Sequence, residues 1–597
     1  MIVCSDITSY THVGSAEMSS WGDVQRASPR APGAAVQFPH VRIDHRPGHL
    51  NRYPHTVRAK AVSLLCIAFL TFLLGLGRQA ITDSDEAFYA EASREMVETG
   101  DWLTPHFNYT DRWQKPVLYY WLTSATYLVT GPTESAARLW SALSGVGLVL
   151  LAWYATRRMT GDDDTGWLAG AITATSYGYF AMARLGLPDL PLTFFISLGI
   201  WSALEGRWVL AGTAAGLGFL MKGPVALVIP GLVLLPIWWR EGTLRALRAR
   251  DLAMAALVCV AIAVPWYAAM TLEHGTAYLS SFFLGDNFER FATDRFNDPR
   301  PFWFYLPVVV GGMMPWAVYP LALAVRPVRD VLGRRVRVTA DEWRLLIWAG
   351  APLLFYTLSI GKQPRYILPV LPPLAMLLAR AMKTAMRTAD APSGGRRPLR
   401  IATWSTAAIL AVLAVLLVRA RPLFLTAYPA VTWLSVAAIV TSATGLAWVA
   451  GTGAWHRLPR ALTASGVSLL LAVQFGVLSG LHPEPVEQMA ALLQANRTAQ
   501  EPVGTYEVFV RNLVFYTGFK QAELFDEARA LDFITSPERV LLVVRPSDRD
   551  RLQTIAGVRL RSLGAVQYLD TARLRLGTLL SPIPTQDLET VLLVTNR

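Results

Sequence analysis

KAVSLLCIAFLTFLLGLG, residues 60–77, runs from Ala61 to Gly77 without a charged side chain. A helix that crosses a bilayer needs about 20 mainly apolar residues, and this stretch approaches that length. Its N-terminal flank carries Arg46, Arg52, Arg58 and Lys60, while the sequence that follows holds the acidic run DSDEAFYAE, residues 83–91. Basic residues collect on the cytoplasmic side of a span. The chain therefore reads as entering the membrane from the cytoplasm and emerging outside at about residue 78.

The rest of the sequence repeats this pattern. Hydrophobic residues make up 53% and charged residues 16%, against about a quarter charged in an ordinary soluble domain, and the mean hydropathy is +0.33. Candidate spans are 60–77, 138–156, 166–183, 188–204, 207–221, 224–239, 252–270, 302–325, 343–360, 365–382, 401–419, 428–451 and 459–480, about 13 in all by the length rule. The shorter stretch 116–130 contains polar residues and reads as a helix lying on the membrane surface. With that assignment, alternation puts the basic segments Arg157-Arg158, Arg240–Arg250, Arg326–Arg337, Lys383–Arg400 and Arg457–Arg460 on the cytoplasmic side. Arg419 and Arg421, at an outside turn, are a mild exception. The net charge of +12 thus follows membrane orientation and not nucleic-acid binding.

Three parts result. Residues 1–58 are polar and read as a disordered cytoplasmic extension; residues 59–481 form a transmembrane helical bundle with a first external loop at 78–137. Residues 482–597 change character. There, strand-like runs at Glu507–Val510 and Val540–Val544 alternate with helical stretches such as Pro485–Ala499, which predicts a small α/β domain on the periplasmic side. The fold class is mainly α. Cys4, Cys66 and Cys259 offer no disulfide framework or cysteine metal site, and no zincin, P-loop or nucleophile-elbow motif is present.

Ionisable residues at the ends of spans are costly and serve as functional candidates by default. The external segments gather Asp83, Asp85, Glu86 and Tyr89, then Lys115, Arg184, Asp189, Lys222, Lys362, Arg365 and Tyr366. Each has a plainer reading. Asp83 with Glu86 three residues on resembles a capping box, and Asp85 suits the positive end of a helix dipole. Asp189 between prolines suits a helix start, while Lys115, Lys222, Lys362 and Arg365 suit interfacial anchors. Taken together they put carboxylates and cations on one side of the membrane. Arginine and lysine hold a phosphate, a carboxylate takes a proton from a hydroxyl, and fixed cations stabilise a departing phosphate. That set suits a transferase with a lipid-linked phosphosugar donor. A lipid flippase, or a non-catalytic subunit presenting its external domain, is the alternative; the absence of an evident internal repeat and the one-sided charges argue against a transporter.

The run DSDEAFYAEASREMVETGDWLTPHFNYTDRWQKPVLYYWLTSA, residues 83–125, resembles the first external loop of bacterial GT-C glycosyltransferases. These are related to the lipid A aminoarabinose transferase and to protein O-mannosyltransferases. ARLGLPDLPLTFF, GLGFLMKGPVALVIPG and SIGKQPRYILPVLPPLA follow in the family's order, so the likeness covers roughly residues 60–380. The resemblance implies a GT-C bundle with periplasmic juxtamembrane helices in the bacterial inner membrane. It implies transfer of a sugar, with inversion, from a polyprenyl phosphate such as undecaprenyl phosphate to lipid A, another glycan or protein. By the same likeness, Asp85 is the principal catalytic carboxylate, with Glu86 and the substrate-binding Tyr89 beside it, and Asp189 is the later aspartate. Lys115 contacts the donor phosphate, Arg184 and Asp189 belong to the cavity, and Lys222, Lys362, Arg365 and Tyr366 lie near the polyprenyl phosphate. No cofactor is expected. Phe88 stands where the aminoarabinose transferases have arginine, and Gln114 where they have glutamate. Their His-Glu-His-like segment is Gly285-Asp286-Asn287 here, so a structural metal is not expected. These departures leave sugar and acceptor open.

Overall fold

The computed structural model describes residues 54–597 apart from 290–292, 294–298, 324–337, 391–395, 424–428, 480–482, 499 and 571–573. Nearly all of the expected N-terminal extension, and the basic loop Arg326–Arg337, lie outside these residues. Among the described residues six helices are long and apolar enough to cross a membrane: Glu134–Thr160, Ala249–His274, Pro364–Ala389, Arg397–Leu423, Ala430–Thr452 and Trp455–Leu478. Shorter apolar helices, such as Asp189–Leu204, Trp208–Lys222 and Val225–Arg240, pack among them.

Small residues bring these helices together. Gly212 and Gly216, four apart on Trp208–Lys222, face Ala249–His274 so closely that a Cβ on Gly212 would lie 2.3 Å from the Ala255 carbonyl oxygen. Without a hydrophobic drive between helices in lipid, such close approach supplies the packing. Leu257, Val260, Val264 and Leu272 of the partner helix remain exposed on its outer side, as a lipid-facing surface requires.

The span expected at 166–183 is broken. Helix Asp163–Thr175 ends at Ser176 and Tyr177–Ala183 begins anew. One backbone group freed by the break, and a side chain beside it, find partners in the neighbouring segment. Tyr177 N–H donates to the Met314 carbonyl at 3.1 Å, and Trp316 Nε1–H to Thr175 Oγ1 at 2.9 Å. The first helix, Pro54–Ala68, likewise continues only as a π-helical turn, Phe69–Leu73.

Two short strands, β1 (His106–Phe107) and β2 (Thr110–Asp111), form a hairpin in the first external loop. The C-terminal segment holds β3 (Val503–Tyr506), β4 (Ala522–Leu524), β5 (Leu541–Val544), β6 (Arg561–Tyr568) and β7 (Glu589–Thr595) in the order β4-β3-β5-β7-β6. β3 runs parallel to β4 and β5, whereas β7 is antiparallel to β5 and β6. Successive side chains of a strand point to opposite faces. Leu541 and Val543 therefore pack with Met489 and Leu493 of helix Pro485–Asn496, and Leu542 and Val544 with Ile534 and Leu552 on the other side. Burial on both faces explains why this strand is an unbroken apolar run. The strand expected at Glu507–Val510 is instead a tight turn after β3, with Glu507 and Phe509 at φ 55° and 52°. The turn carries the chain back onto the first external loop.

Candidate active site

Four helix ends meet at one end of the bundle. Asp85 opens helix Asp85–Thr99, and Asp189 opens Asp189–Leu204. Lys222 closes Trp208–Lys222, where Gly223 turns the chain at φ 85°. Arg365 lies in the first turn of the 3₁₀ segment Pro364–Val370. Carboxylates at helix N-termini and a lysine at a C-terminus each match the sign of the helix dipole.

The charges interlock. Arg365 donates to the Asp85 carboxylate through Nη2 and reaches Asp189 through Nε at 3.6 Å, while Lys222 pairs with the other oxygen of Asp189. Both cations border the Tyr366 ring, Lys222 at 4.8 Å and Arg365 at 5.9 Å from its centre. Asp189 is buried, whereas the Asp85 side chain is 45% exposed and so open to a ligand. Burial pushes the Asp85 carboxyl up, but Arg365, Arg112, Lys222 and Lys115 outweigh it and hold the group below its usual range. Tyr89 lies under this group, buried against Tyr119 and Tyr120 at 5.4 and 5.2 Å between ring centres.

Lys115 stands at the edge, 3.9 Å from Asp286; the Gly285-Asp286-Asn287 segment thus supplies it with a counter-charge. Lys362 is buried, donates to the carbonyls of Ser359 and, at 3.4 Å, Arg300, and shares no ion pair with the Asp85 group.

Glu86 and Arg184 are engaged elsewhere. Glu86 is fully buried and accepts from Arg138 at 2.7 and 3.1 Å, from Gly186 N–H at 2.8 Å and from Thr82 N–H at 2.9 Å. With both oxygens occupied inside the fold, it has no lone pair facing a substrate. Arg184 is buried too, donating to the carbonyls of Thr71 and Leu74 at 3.0 and 2.6 Å. It satisfies the carbonyls that the π-helical turn leaves open.

The capping box expected from Asp83 and Glu86 is not formed. Ser84 is the N-cap, accepting from Glu86 N–H, because the Asp83 carboxylate is taken by the backbone N–H of Arg511 at 2.8 Å. Sequence reasoning also missed Arg138. It holds Glu86 and the carbonyls of Leu76, Gln79 and Ala80, with no exposed surface. The signal was present: an arginine inside an apolar helix is expensive unless it has partners. Arg112, which no sequence pattern marks out, has its guanidinium 3.9 Å from the centre of the Phe88 ring.

Residues 62–274 match the family described as dolichyl-phosphate-mannose-protein mannosyltransferase. The chain is 36% identical over 343 residues to the undecaprenyl phosphate-alpha-4-amino-4-deoxy-L-arabinose arabinosyl transferase 2 of Pseudomonas fluorescens, covering 55% of this chain and 57% of that relative. Against the corresponding transferase of Pectobacterium carotovorum it is 32% identical over 369 residues, covering 60% and 64%. The chain thus spans less than two thirds of the length of these curated relatives. Its fold is that of ArnT from Cupriavidus metallidurans, solved bound to undecaprenyl phosphate. The two superpose with a TM-score of 0.68 over 90% of this chain and 98% of that one, at 21% identity. These findings bear out the likeness to GT-C glycosyltransferases read from residues 83–125.

Proposed function

We propose that this multi-pass membrane protein, similar in sequence and fold to GT-C glycosyltransferases, moves a sugar from a polyprenyl phosphate to an acceptor in the cell envelope. The donor is undecaprenyl phosphate carrying the sugar, and lipid A, another glycan or a protein is the acceptor. The reaction takes place on the periplasmic side of the bacterial inner membrane. The bundle of residues 59–481 crosses the membrane about 13 times, the shorter apolar helices serving as additional spans, and residues 482–597 form a periplasmic domain.

The observation that carries this reading is the shared guanidinium of Arg365, held between Asp85 and Asp189 with Lys222 alongside. A phosphate entering this cluster competes with the carboxylates for Arg365 and Lys222, since both cations prefer a multiply charged oxyanion. As Arg365 turns to the phosphate, Asp85 loses its strongest counter-charge and its basicity rises. The acceptor oxygen then attacks the anomeric carbon from the face opposite the phosphate. The bond from that carbon to the phosphate oxygen breaks, Asp85 takes the acceptor proton, and polyprenyl phosphate leaves with its charge held by Lys222 and Arg365. Attack from the opposite face inverts the anomeric configuration. Lys115 steers the phosphate from the rim. Asp189 holds Lys222 and Arg365 in place, and Tyr89 and Tyr366 shape the floor. Glu86 and Arg184 act as braces of the scaffold, and Lys362 fixes the backbone that precedes Arg365.

The test is transfer of label by purified protein from undecaprenyl phosphate-4-amino-4-deoxy-L-arabinose, and from the mannosyl donor, to envelope extract. Wild type is expected to produce labelled, inverted product with one of the two, and Asp85→Asn is expected to lose it. Equal turnover by the variant would remove Asp85 from the mechanism.

A further inference from the structure

Arg419 and Arg421 stand against the charge pattern of the other basic segments, and their surroundings give a reason. Arg419 lies in the last turn of helix Arg397–Ala420, and Arg421 opens the short turn Arg421–Leu423 that follows. Between this helix and the next, Pro429–Thr452, runs a groove of about 390 Å³. Apart from Arg419 and Thr444 its walls are alanine and valine. Its volume falls within the range of ligand sites, about 300–1,000 Å³. Ala411 and Arg419, both on its wall, are eight residues apart, about 12 Å along the axis. The groove is therefore long, apolar and positive at one end.

The charge at that end is unspent. Arg419 and Arg421 are both exposed, and Arg421 lies 5.3 Å from the centre of the exposed Trp433 ring. Tryptophan at the end of a span marks the level of the head groups. Among the described residues neither guanidinium pairs with a carboxylate. Asp587, on the helix Pro584–Asp587 that packs against Arg421–Leu423, is taken by Ile583 N–H at 2.6 Å. The C-terminal segment reaches the membrane helices here, with Leu576–Leu580 packed on Arg397–Ala420. Leu576, Leu580 and Ile583 nevertheless remain exposed. Apolar side chains left uncovered beside a span suit a surface that meets lipid.

We propose that one anionic phospholipid occupies this groove, with an acyl chain between the two helices and its phosphate on Arg419 and Arg421, beside Leu576–Ile583. Arginine offers a phosphate paired donors, and the apolar walls select a phosphate that carries a chain. The site is separate from the Asp85 cluster, whose Asp189, Lys222 and Arg365 come from other segments. A lipid held there fastens the C-terminal segment to the bundle, because both touch helix Arg397–Ala420.

The full-length protein in detergent is titrated with phosphatidylglycerol, phosphatidylcholine and dioleoylglycerol, and native mass spectrometry reads the bound lipids. One phosphatidylglycerol per chain is expected to bind, with phosphatidylcholine weaker and dioleoylglycerol absent. Arg419→Gln and Arg421→Gln are each expected to raise its Kd about fivefold, the effect of one arginine at an anionic lipid, while Arg421→Lys keeps most of the affinity. Ala411→Phe fills the groove but spares both arginines, and is expected to abolish binding. Melting temperatures without added lipid are expected to match wild type in all four variants, so that lost binding reports the groove and not the fold. Unchanged affinity in both glutamine variants, or in Ala411→Phe, would overturn the proposal. So would equal affinity for phosphatidylcholine, which would indicate bulk annular lipid. Displacement by inorganic phosphate would indicate a soluble anion site, and displacement by an equal concentration of undecaprenyl phosphate a second carrier site; either would overturn it too.

Discussion

Asp85 and Glu86 are neighbours in sequence, both carboxylates paired to arginine, and they meet opposite fates. Asp85 is half exposed and shares Arg365 with Asp189 where helix ends meet. Glu86 is sealed against Arg138, with no exposed surface on either partner. Successive helical residues point about 100° apart, so the first turn of one helix sends one acid to the half-exposed cluster and the next to the core. The exposed pair can exchange its partner for a ligand. The buried pair cannot, because both charges have left water and each depends on the other.

The sharpest way to break this contrast is to remove one buried partner. Arg138→Ala leaves Glu86 and three backbone carbonyls without their donor, and is expected to cost about 3–5 kcal/mol and to lower the yield of folded protein. Thermal unfolding in detergent would check it, with Asp85→Asn melting near wild type as the comparison. A variant Arg138→Ala as stable as wild type would erase the distinction. Next in size, Asp85→Asn is expected to reduce sugar transfer by at least about 10²-fold with its melting temperature unchanged; parallel loss in stability would make Asp85 a second brace. Lys222→Met should raise the donor KM about tenfold, with Lys222→Arg recovering part of it, as steady-state kinetics over donor concentration would show.

The smallest effect concerns another buried acid of the same helix. Glu95 Oε1 has no donor, and burial and the adjacent Glu91 carboxylate push its carboxyl up to about 8. Folding therefore favours the protonated form. Its contribution to stability is present in full below the ordinary glutamate value of 4.5 and is lost as pH rises through about 8. Melting temperatures measured across that window are expected to fall with pH in wild type and to fall less steeply in Glu95→Gln.

Sequence patterns conveyed the membrane character and the gathering of Asp85, Asp189, Lys222 and Arg365, because hydropathy and charge alternation act over whole segments. Three-dimensional competition hid the rest. Asp83 looked like a cap, but a backbone N–H more than 400 residues away claims it. Glu86 looked like a partner in catalysis, and only Arg138, placed by packing, reveals its task. The stretch from Glu507 has strand-like composition, yet the chain turns there to reach the first loop. The break at Ser176 gives no local sign either, since the amide it frees finds its acceptor on the distant Met314.

That break constrains how the protein is assembled. The Tyr177 amide released at Ser176 has its acceptor on Met314, so the two halves on either side of the break are complete only once that stretch, well over a hundred residues later in synthesis, has packed against them. Until then that amide must find another acceptor, and arrival of the later segment is what lets the earlier one settle.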